Sequence, residues 1–216
     1  MDTVSNVGVL DKAVAVLRAL ERVGPAGLAE LQSATGLPRA TAHRLAIALE
    51  QHGLVRRDRD GRFELGLALV GLGQAAADGF PLAELARPTL TALRDETGES
   101  VQLFVREPDG RRCVVSLQSS HGLRWIVPEG ALLPLAVGSA GRVLSGAVGA
   151  DGWTESVEER EAGVASVSAP VVGRDGDVLA AVSISGPVER LSREPGRRFG
   201  ARVVSAAAHI AAAPTR

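Results

Sequence analysis

The stretch from Leu28 to Gly66 constrains this chain more than any other. It holds a short apolar run broken at Gly36, a longer one from Pro38 to Gln51, and then LVRRDRDGRFELG with Asp60-Gly61 inside it. Asp-Gly between residues able to form strands predicts a hairpin, here with Asp60-Gly61 as a two-residue loop. Upstream, Leu10, Ala13, Val14, Leu17 and Leu20 recur at helical steps, which predicts a helix of roughly four turns with that set inward. Gly24-Pro25-Ala26-Gly27 ends it. A second helix is expected from about 28 to 35, with Leu28 and Leu31 inward. Pro38 suits the first turn of a third helix, where its missing N–H would be unpaired anyway. Gly53 is placed to cap that helix at its C-terminus. Ala42, Leu45, Ala46 and Leu49 form its apolar stripe, and Arg39, Thr41, His43 and Arg44 lie largely off it.

Helix, short helix, glycine turn, helix and basic hairpin is the order of a winged helix-turn-helix. Charge agrees. The chain of 216 residues carries a net −1, yet from Leu37 to Arg62 six arginines face Glu50, Asp58 and Asp60, leaving +3 there and −4 elsewhere. That asymmetry fits a nucleic-acid face on a near-neutral protein. The second helix of such a unit enters a major groove about 12 Å wide and offers its N-terminal side chains to base edges. Arg39 and Arg44 are the leading candidates for base or phosphate contact. His43 is a candidate base reader, and Thr41 either caps the helix or touches a phosphate. Arg56, Arg57, Arg59 and Arg62 are expected on the DNA backbone, where contacts fix register without reading sequence. Gln32 and Ser33 on the preceding helix are further phosphate donors.

Composition closes off other classes. Apolar residues make up 45% and charged residues 23%, as in a soluble globular protein. No apolar run reaches the ~18 residues that a transmembrane helix needs. The first residues lack a basic segment followed by an apolar block, so no signal peptide is expected and the cytoplasm is the expected compartment. A single cysteine, Cys113, excludes an internal disulfide, and with four histidines it cannot make a zinc finger. No Gly-x-Ser-x-Gly elbow and no glycine-rich phosphate loop occurs, so neither cofactor nor metal is expected and the chain does not read as an enzyme. Ser116, Ser119 and Ser120 stand near His121 without an acid in a fixed partner position. Cys113, flanked by Arg111 and Arg112, is either an inert small hydrophobe or a redox-sensing thiol. The carboxylates between Glu158 and Gly163 read as a solvated charge run.

Beyond Leu65 an Ala- and Gly-rich segment predicts a helix ending near Asp78-Gly79. It is too apolar for a free linker and is expected to pack, against a second subunit. From Pro81 a helix to Thr97, bent at Pro88, gives way to SVQLFVRE and RRCVVSLQ across Pro108-Asp109-Gly110. LRWIV is expected as a further strand, VASVSAPVV pairs with DVLAAVSISG, and a last helix runs from about 195 to 213. The expected class is α+β in two domains: a winged helix-turn-helix over 5–68, a connecting helix over 69–80, and a mixed α/β domain with an antiparallel sheet over 81–216.

The segments VLDKAVAVLRAL, GLAELQSATGLPRATAHRLAIALEQHGLVRRD and GRFELG resemble the DNA-binding domain of the IclR family of bacterial transcriptional regulators. In the second half, LARPTLTALRDETGESVQL, LRWIVPEGALLPLAVGSAGRVL and VEEREAGVASVSAPVVGRDGDVLAAVSISGPVERL resemble that family's GAF-like effector domain. The resemblance implies a dimer or dimer of dimers that reads a palindromic double-stranded DNA operator. It also implies a small-molecule effector, of organic-acid or aromatic type, held against one face of the sheet. Carried over by position, the effector contacts would be Ser139, Ala140, Ser156, Ser166, Ser183 and Ser185, with Leu123, Trp125, Leu133 and Leu135 as apolar walls. Ser139-Ala140-Gly141 opens a helix whose free N–H groups suit a carboxylate. Two departures stand out. Arg142 occupies a position that is most often lysine, and the chain passes from Leu144 to Gly152-Trp153 without the longer helix and loop usual there. Three alternatives stay open: a regulator that has lost its effector with that segment, a small-molecule enzyme on the second domain, and a winged helix used to dock a protein.

Overall fold

The computed structural model describes residues 8–213, in two compact units divided between Phe80 and Pro81. The first contains α1 (Gly8–Val23), α2 (Leu28–Thr35), α3 (Arg39–Gln51), β1 (Val55–Arg57), β2 (Phe63–Leu65) and α4 (Ala68–Asp78). Val16, Ala19 and Leu20 of α1, Leu31 of α2, Ala46 and Leu49 of α3, and Val55 and Phe63 of the hairpin make one small core. The buried face of α1 is rotated from the expected one. Val16 and Ala19 are inside, while Leu10 and Val14 are 55% and 43% exposed. Periodicity identified the helix, but two overlapping apolar stripes share it, and contact with α2, α3 and β2 selects one of them.

The hairpin also differs from expectation. Arg57 pairs with Phe63, so no two-residue loop forms at Asp60-Gly61. Asp58 N–H donates to the Arg62 carbonyl at 2.9 Å, and Gly61 N–H to the Asp58 carbonyl at 3.1 Å, with Gly61 at φ 75°. This is a three-residue loop, a tight turn followed by a left-handed residue. Asp58 Oδ1 locks it by accepting the N–H groups of Asp60 and Arg62, at 2.9 and 2.8 Å. Ala26 and Phe63 exchange two backbone hydrogen bonds of 2.8 Å, which ties the wing to the segment before α2.

The second unit contains α5 (Leu82–Thr97), β3 (Ser100–Glu107), β4 (Gly110–Leu117), β5 (Leu132–Leu133), α6 (Ser139–Leu144), β6 (Thr154–Val157), β7 (Val164–Val172), β8 (Val178–Pro187), α7 (Val188–Leu191) and α8 (Pro195–Ala212). The strands form one antiparallel sheet in the order β5-β4-β3-β8-β7-β6. One face, with Val101, Leu103, Val167, Val182 and Ile184, packs under α5 and α8. Burying it supplies the main driving force for this unit, at ~25 cal/mol per Å² of apolar surface. The other face carries α6 over Phe104, Cys113 and Ala181.

LRWIV is not a strand. Residues 123–128 have no regular structure, and the fifth strand is Leu132–Leu133, which pairs with Arg112 and Arg111. Its apolar residues read as a strand because Trp125 and Val127 turn inward against the α6 face, and a loop clamped by two anchors has the same pattern. Where the chain is short, Gly149 N–H donates to the Trp153 carbonyl at 3.0 Å and closes a tight turn into β6.

Candidate nucleic-acid interface and ligand pocket

The turn between α2 and α3 is set by Gly36 and Pro38. Gly36, at φ 68°, ends α2 in the left-handed region, and its N–H donates to the Gln32 carbonyl at 2.9 Å. Pro38 then sits one position before α3, not inside its first turn, and its carbonyl accepts the N–H groups of Thr41 and Ala42. At the far end of α3, Gly53 and Leu54 donate to Glu50 and Leu49, a paired C-terminal cap around a glycine at φ 69°.

On this scaffold Arg39, His43 and Arg44 are exposed, and among the described residues none has a hydrogen bond or ion pair. No acid occupies the first turn of α3. Thr41 is half-buried at the third helical position, so it is not the cap. The wing is different. Arg56 pairs with Glu64 at 2.9 Å, and Arg62 with Glu30 at 3.0 Å. Arg57 lies 4.2 Å from the Phe63 ring centroid and 3.4 Å from Glu50. Of the four wing arginines, Arg59 at the tip has no such pairing among the described residues. Gln32 and Ser33 are exposed on α2. Glu30 also accepts the Gly27 N–H at 2.6 Å, and that bond, then Arg62, holds its carboxyl below the ordinary range.

In the second unit, alternation along four strands puts polar residues on the α6 face. Ser156, Ser166 and Ser185 are in register across β6, β7 and β8, and Ser168, Ser183 and Gln102 across β7, β8 and β3. A cavity of about 40 Å³ opens over these rows. Trp125, Leu133, Ser139, Ala140, Ser156, Ser166, Ser183 and Ser185 all line it. Leu123 does not: it is 71% exposed, because the segment before Trp125 runs outward. Leu135 packs against the α6 core instead of lining the cavity. Ser139 Oγ is 2.7 Å from both Ser166 Oγ and Ser168 Oγ. The start of α6 is less open than expected, since the N–H of its cap residue, Gly138, donates to Glu159 Oε2 at 3.1 Å.

Gln102, Phe104, Arg111, Arg160 and Glu161 also line the cavity, and residue-type reasoning missed them. Alternation in SVQLFVRE would have found Gln102, since it shares a face with Phe104. No local signal marks Arg111, which reads as an ordinary solvated arginine. In the fold it is 3% exposed. Its Nη1 donates to the carbonyls of Pro134 and Val137, and it lies 5.4 Å from the Phe104 centroid. Burial, and then Arg160, push its pKa down to about 10. Arg160 sits 4.8 Å from the Trp125 centroid, and its pKa is lowered by burial against the opposing pull of Glu161.

The remaining sequence candidates fall out on geometry. Cys113 is fully buried, and burial, then Glu129, push its thiol up to about 12, the reverse of an activated sulfur. Ser119 Oγ donates to the Gly98 carbonyl and meets only the backbone N–H of His121, so no serine–histidine dyad exists there. Among the described residues no group of three His, Cys, Asp or Glu side chains is placed to hold a metal ion. No helix among them is long and apolar enough to cross a membrane.

Comparison with known proteins agrees with this architecture. Residues 9–59 match the IclR helix-turn-helix domain. Residues 74–151 and 146–212 match the C-terminal domain of the bacterial transcriptional regulator IclR, in two pieces that meet at the shortened segment. The glycerol operon regulatory protein of Streptomyces coelicolor is 32% identical over 88% of this chain and 88% of its own length. The transcriptional repressor IclR of Escherichia coli is 25% identical over 88% of this chain and 83% of its own. An IclR homologue of Microbacterium hydrocarbonoxydans, solved in complex with 4-hydroxybenzoate, shares the fold with a TM-score of 0.75, 20% identity and coverage of 94% and 97%. With both family domains matched over most of its length and a relative 32% identical over 88% of it, the chain belongs to the IclR family of DNA-binding transcriptional regulators.

Proposed function

We propose that α3 reads a DNA operator while the cavity of the second domain receives a small-molecule effector that alters this binding. The observation that carries the reading is the contrast among basic residues. Among the described residues Arg39, His43 and Arg44 have no hydrogen-bond or ion-pair partner, whereas Arg56, Arg57 and Arg62 are paired with acids. Unpaired guanidiniums at the front of a helix are ready for bidentate contact with guanine or phosphate. On this reading Arg39, Thr41, His43 and Arg44 enter the major groove. Gln32 and Ser33 meet phosphates beside it, and Arg59 leads the backbone contacts of the wing, joined by Arg56, Arg57 and Arg62.

Residues 5–68 act as the reading domain, 69–80 as the connector and 81–216 as the effector domain. The effector is of organic-acid or aromatic type, as the 4-hydroxybenzoate complex of the Microbacterium homologue suggests. The cavity is retained despite the missing segment, which favours an effector-responsive regulator over one that has lost its ligand. The regulator acts in the cytoplasm, catalyses no reaction, has no membrane contact, and works as a homodimer or dimer of dimers. Half-sites then lie about one helical turn, ~34 Å, or a multiple apart. Fluorescence anisotropy with DNA from upstream of its own gene, at several salt concentrations, tests the proposal. Saturable binding that weakens with salt supports it, and absence of binding to that DNA and to neighbouring promoters refutes it.

A further inference from the structure

We infer that Glu30, and to a smaller extent Glu50, hold wing arginines away from DNA phosphates, which keeps sequence-independent binding weak and leaves recognition to α3. The inference deepens the proposal that α3 reads an operator, and it rests on that proposal. Binding to DNA of arbitrary sequence comes from basic side chains on phosphates. Domains that bind nucleic acid commonly carry a strong basic excess for this purpose. This one does not. Between residues 28 and 66 six arginines stand against five carboxylates, a net +1. The placement of the acids is selective. Glu30, Glu50 and Glu64 each sit on one wing arginine, while Arg39 and Arg44 of α3 have no such partner among the described residues.

Glu30 is the stronger restraint. Arg62 Nη2 donates to both of its oxygens, at 3.0 and 3.3 Å, and one of them also accepts the Gly27 N–H at 2.6 Å. That backbone bond pins the carboxylate, so its charge stays in place when Arg62 turns toward a phosphate. Glu30, Arg62 and Ser33 line one surface hollow, and Ser33 is a proposed phosphate donor. A fixed negative charge there opposes any phosphate that approaches. Glu50 lies 3.4 Å from Arg57 Nε. Arg57 Nη1 also donates to the Gly61 carbonyl at 3.0 Å, and its guanidinium lies over Phe63, so removing Glu50 frees it less. Exposed pairs like these are weak. Base contacts made by a docked α3 outweigh them, whereas a duplex that α3 does not recognise offers nothing to offset their loss. The acids therefore weigh most on non-specific complexes.

Anisotropy of the full-length protein with a random-sequence duplex, and with the duplex from upstream of its own gene, tests this between about 50 and 200 mM salt. Glu30→Gln keeps an acceptor for the Gly27 N–H. On the random duplex it should bind more tightly at low salt and steepen the slope of log K against log salt by up to ~0.9, one added phosphate contact. Across that salt range it then loses about threefold more affinity than the wild type. The preference for the upstream duplex should shrink. Glu50→Gln should shift the slope the same way by less. Glu30→Gln combined with Arg62→Gln should return slope and affinity to the wild-type values. An unchanged or shallower slope in Glu30→Gln overturns the inference. So does a slope that stays steep in the double variant, because lost negative charge and not a freed arginine then accounts for it. Unfolding lowers affinity, the opposite sign, and if Glu30→Gln lowers the melting temperature, Glu50→Gln carries the same test. Two duplexes bound equally by the wild type, with a steeper slope in the variants, uphold the role of the acids and remove the operator reading. Clear preference for the upstream duplex with unchanged slopes does the reverse.

Discussion

Arginine outnumbers every other basic residue in this protein, and what each one does depends on its nearest acid. Among the described residues Arg39 and Arg44 pair with none, so if they read bases as proposed, replacing either by alanine should cost operator binding ~1–3 kcal/mol per lost base contact. Anisotropy would read that loss, while the melting temperature stays unchanged. Arg57→Ala should do the opposite. It removes the stack on Phe63 and the contact with Glu50, so it lowers stability, read by thermal melting, more than it lowers affinity. Arg59→Ala should reduce the slope of log K against log salt by ~0.9, the signature of one phosphate contact. Exposed pairs such as Arg56 with Glu64 are worth only ~0–1 kcal/mol, so they dampen wing contacts without forbidding them.

Cys113 makes a prediction of another kind. Its folded pKa is raised from 9.0 to about 12. Between those values the unfolded chain has released the thiol proton and the native one still holds it, so stability falls as pH rises through that window. Cys113→Ala should remove that part of the slope in urea melts. At neutral pH the native thiol should resist alkylation until the protein unfolds.

At the scale of elements, the angle between α2 and α3 depends on Gly36. Nothing lies within 4 Å of where a side chain would go, so Gly36→Ala isolates the cost of a left-handed residue, about 1–2 kcal/mol. Operator affinity should fall with stability, because this turn aims α3. Gly141, inside α6, is a different case. A side chain there would run into the Leu135 carbonyl and the Arg111 guanidinium. Gly141→Ala should therefore weaken ligand binding sharply, while DNA binding in the absence of ligand changes little. The same element scale shows where sequence reasoning failed. α2, α3, β7 and β8 are legible because their periodicity and glycine breaks are local. β6 and α7 are too short to carry a period, and the 123–127 loop imitates a strand with two inward anchors.

Across the whole molecule, the exposed apolar residues concentrate in α1 and α4. Val9, Leu10 and Val14 on α1, and Leu67, Val70 and Leu72 at and along α4, are open to solvent. Such surface marks association, and with a homodimer proposed, Val70→Asp with Leu72→Asp should shift the protein toward monomer in sedimentation velocity. Operator affinity should fall with it, since one reading head then binds without the other. The short segment after Leu144 leads into a close contact with α8. The Trp153 ring, just before β6, lies directly against Gly196 and Gly200 of α8, and Glu155 Oε2 of β6 accepts the Gly196 N–H at 2.7 Å, so these two side chains tie this strand to the helix.

The sequence by itself determined the reading head. Helix periods, Gly36, Pro38 and a run of arginines are all local signals, and together with the family resemblance they specified both domains. The resemblance, not any local pattern, implied six serine and alanine positions that line the cavity. Only the tertiary structure decided which arginines are spent on internal acids, which side of α1 is buried, and that Arg111 is a buried cation without a carboxylate. Those outcomes depend on residues far apart in the chain meeting in space, as when Arg62 meets Glu30 or Arg111 meets Pro134 and Val137. An electrostatic environment is set by such neighbours, and no spacing along the chain encodes them.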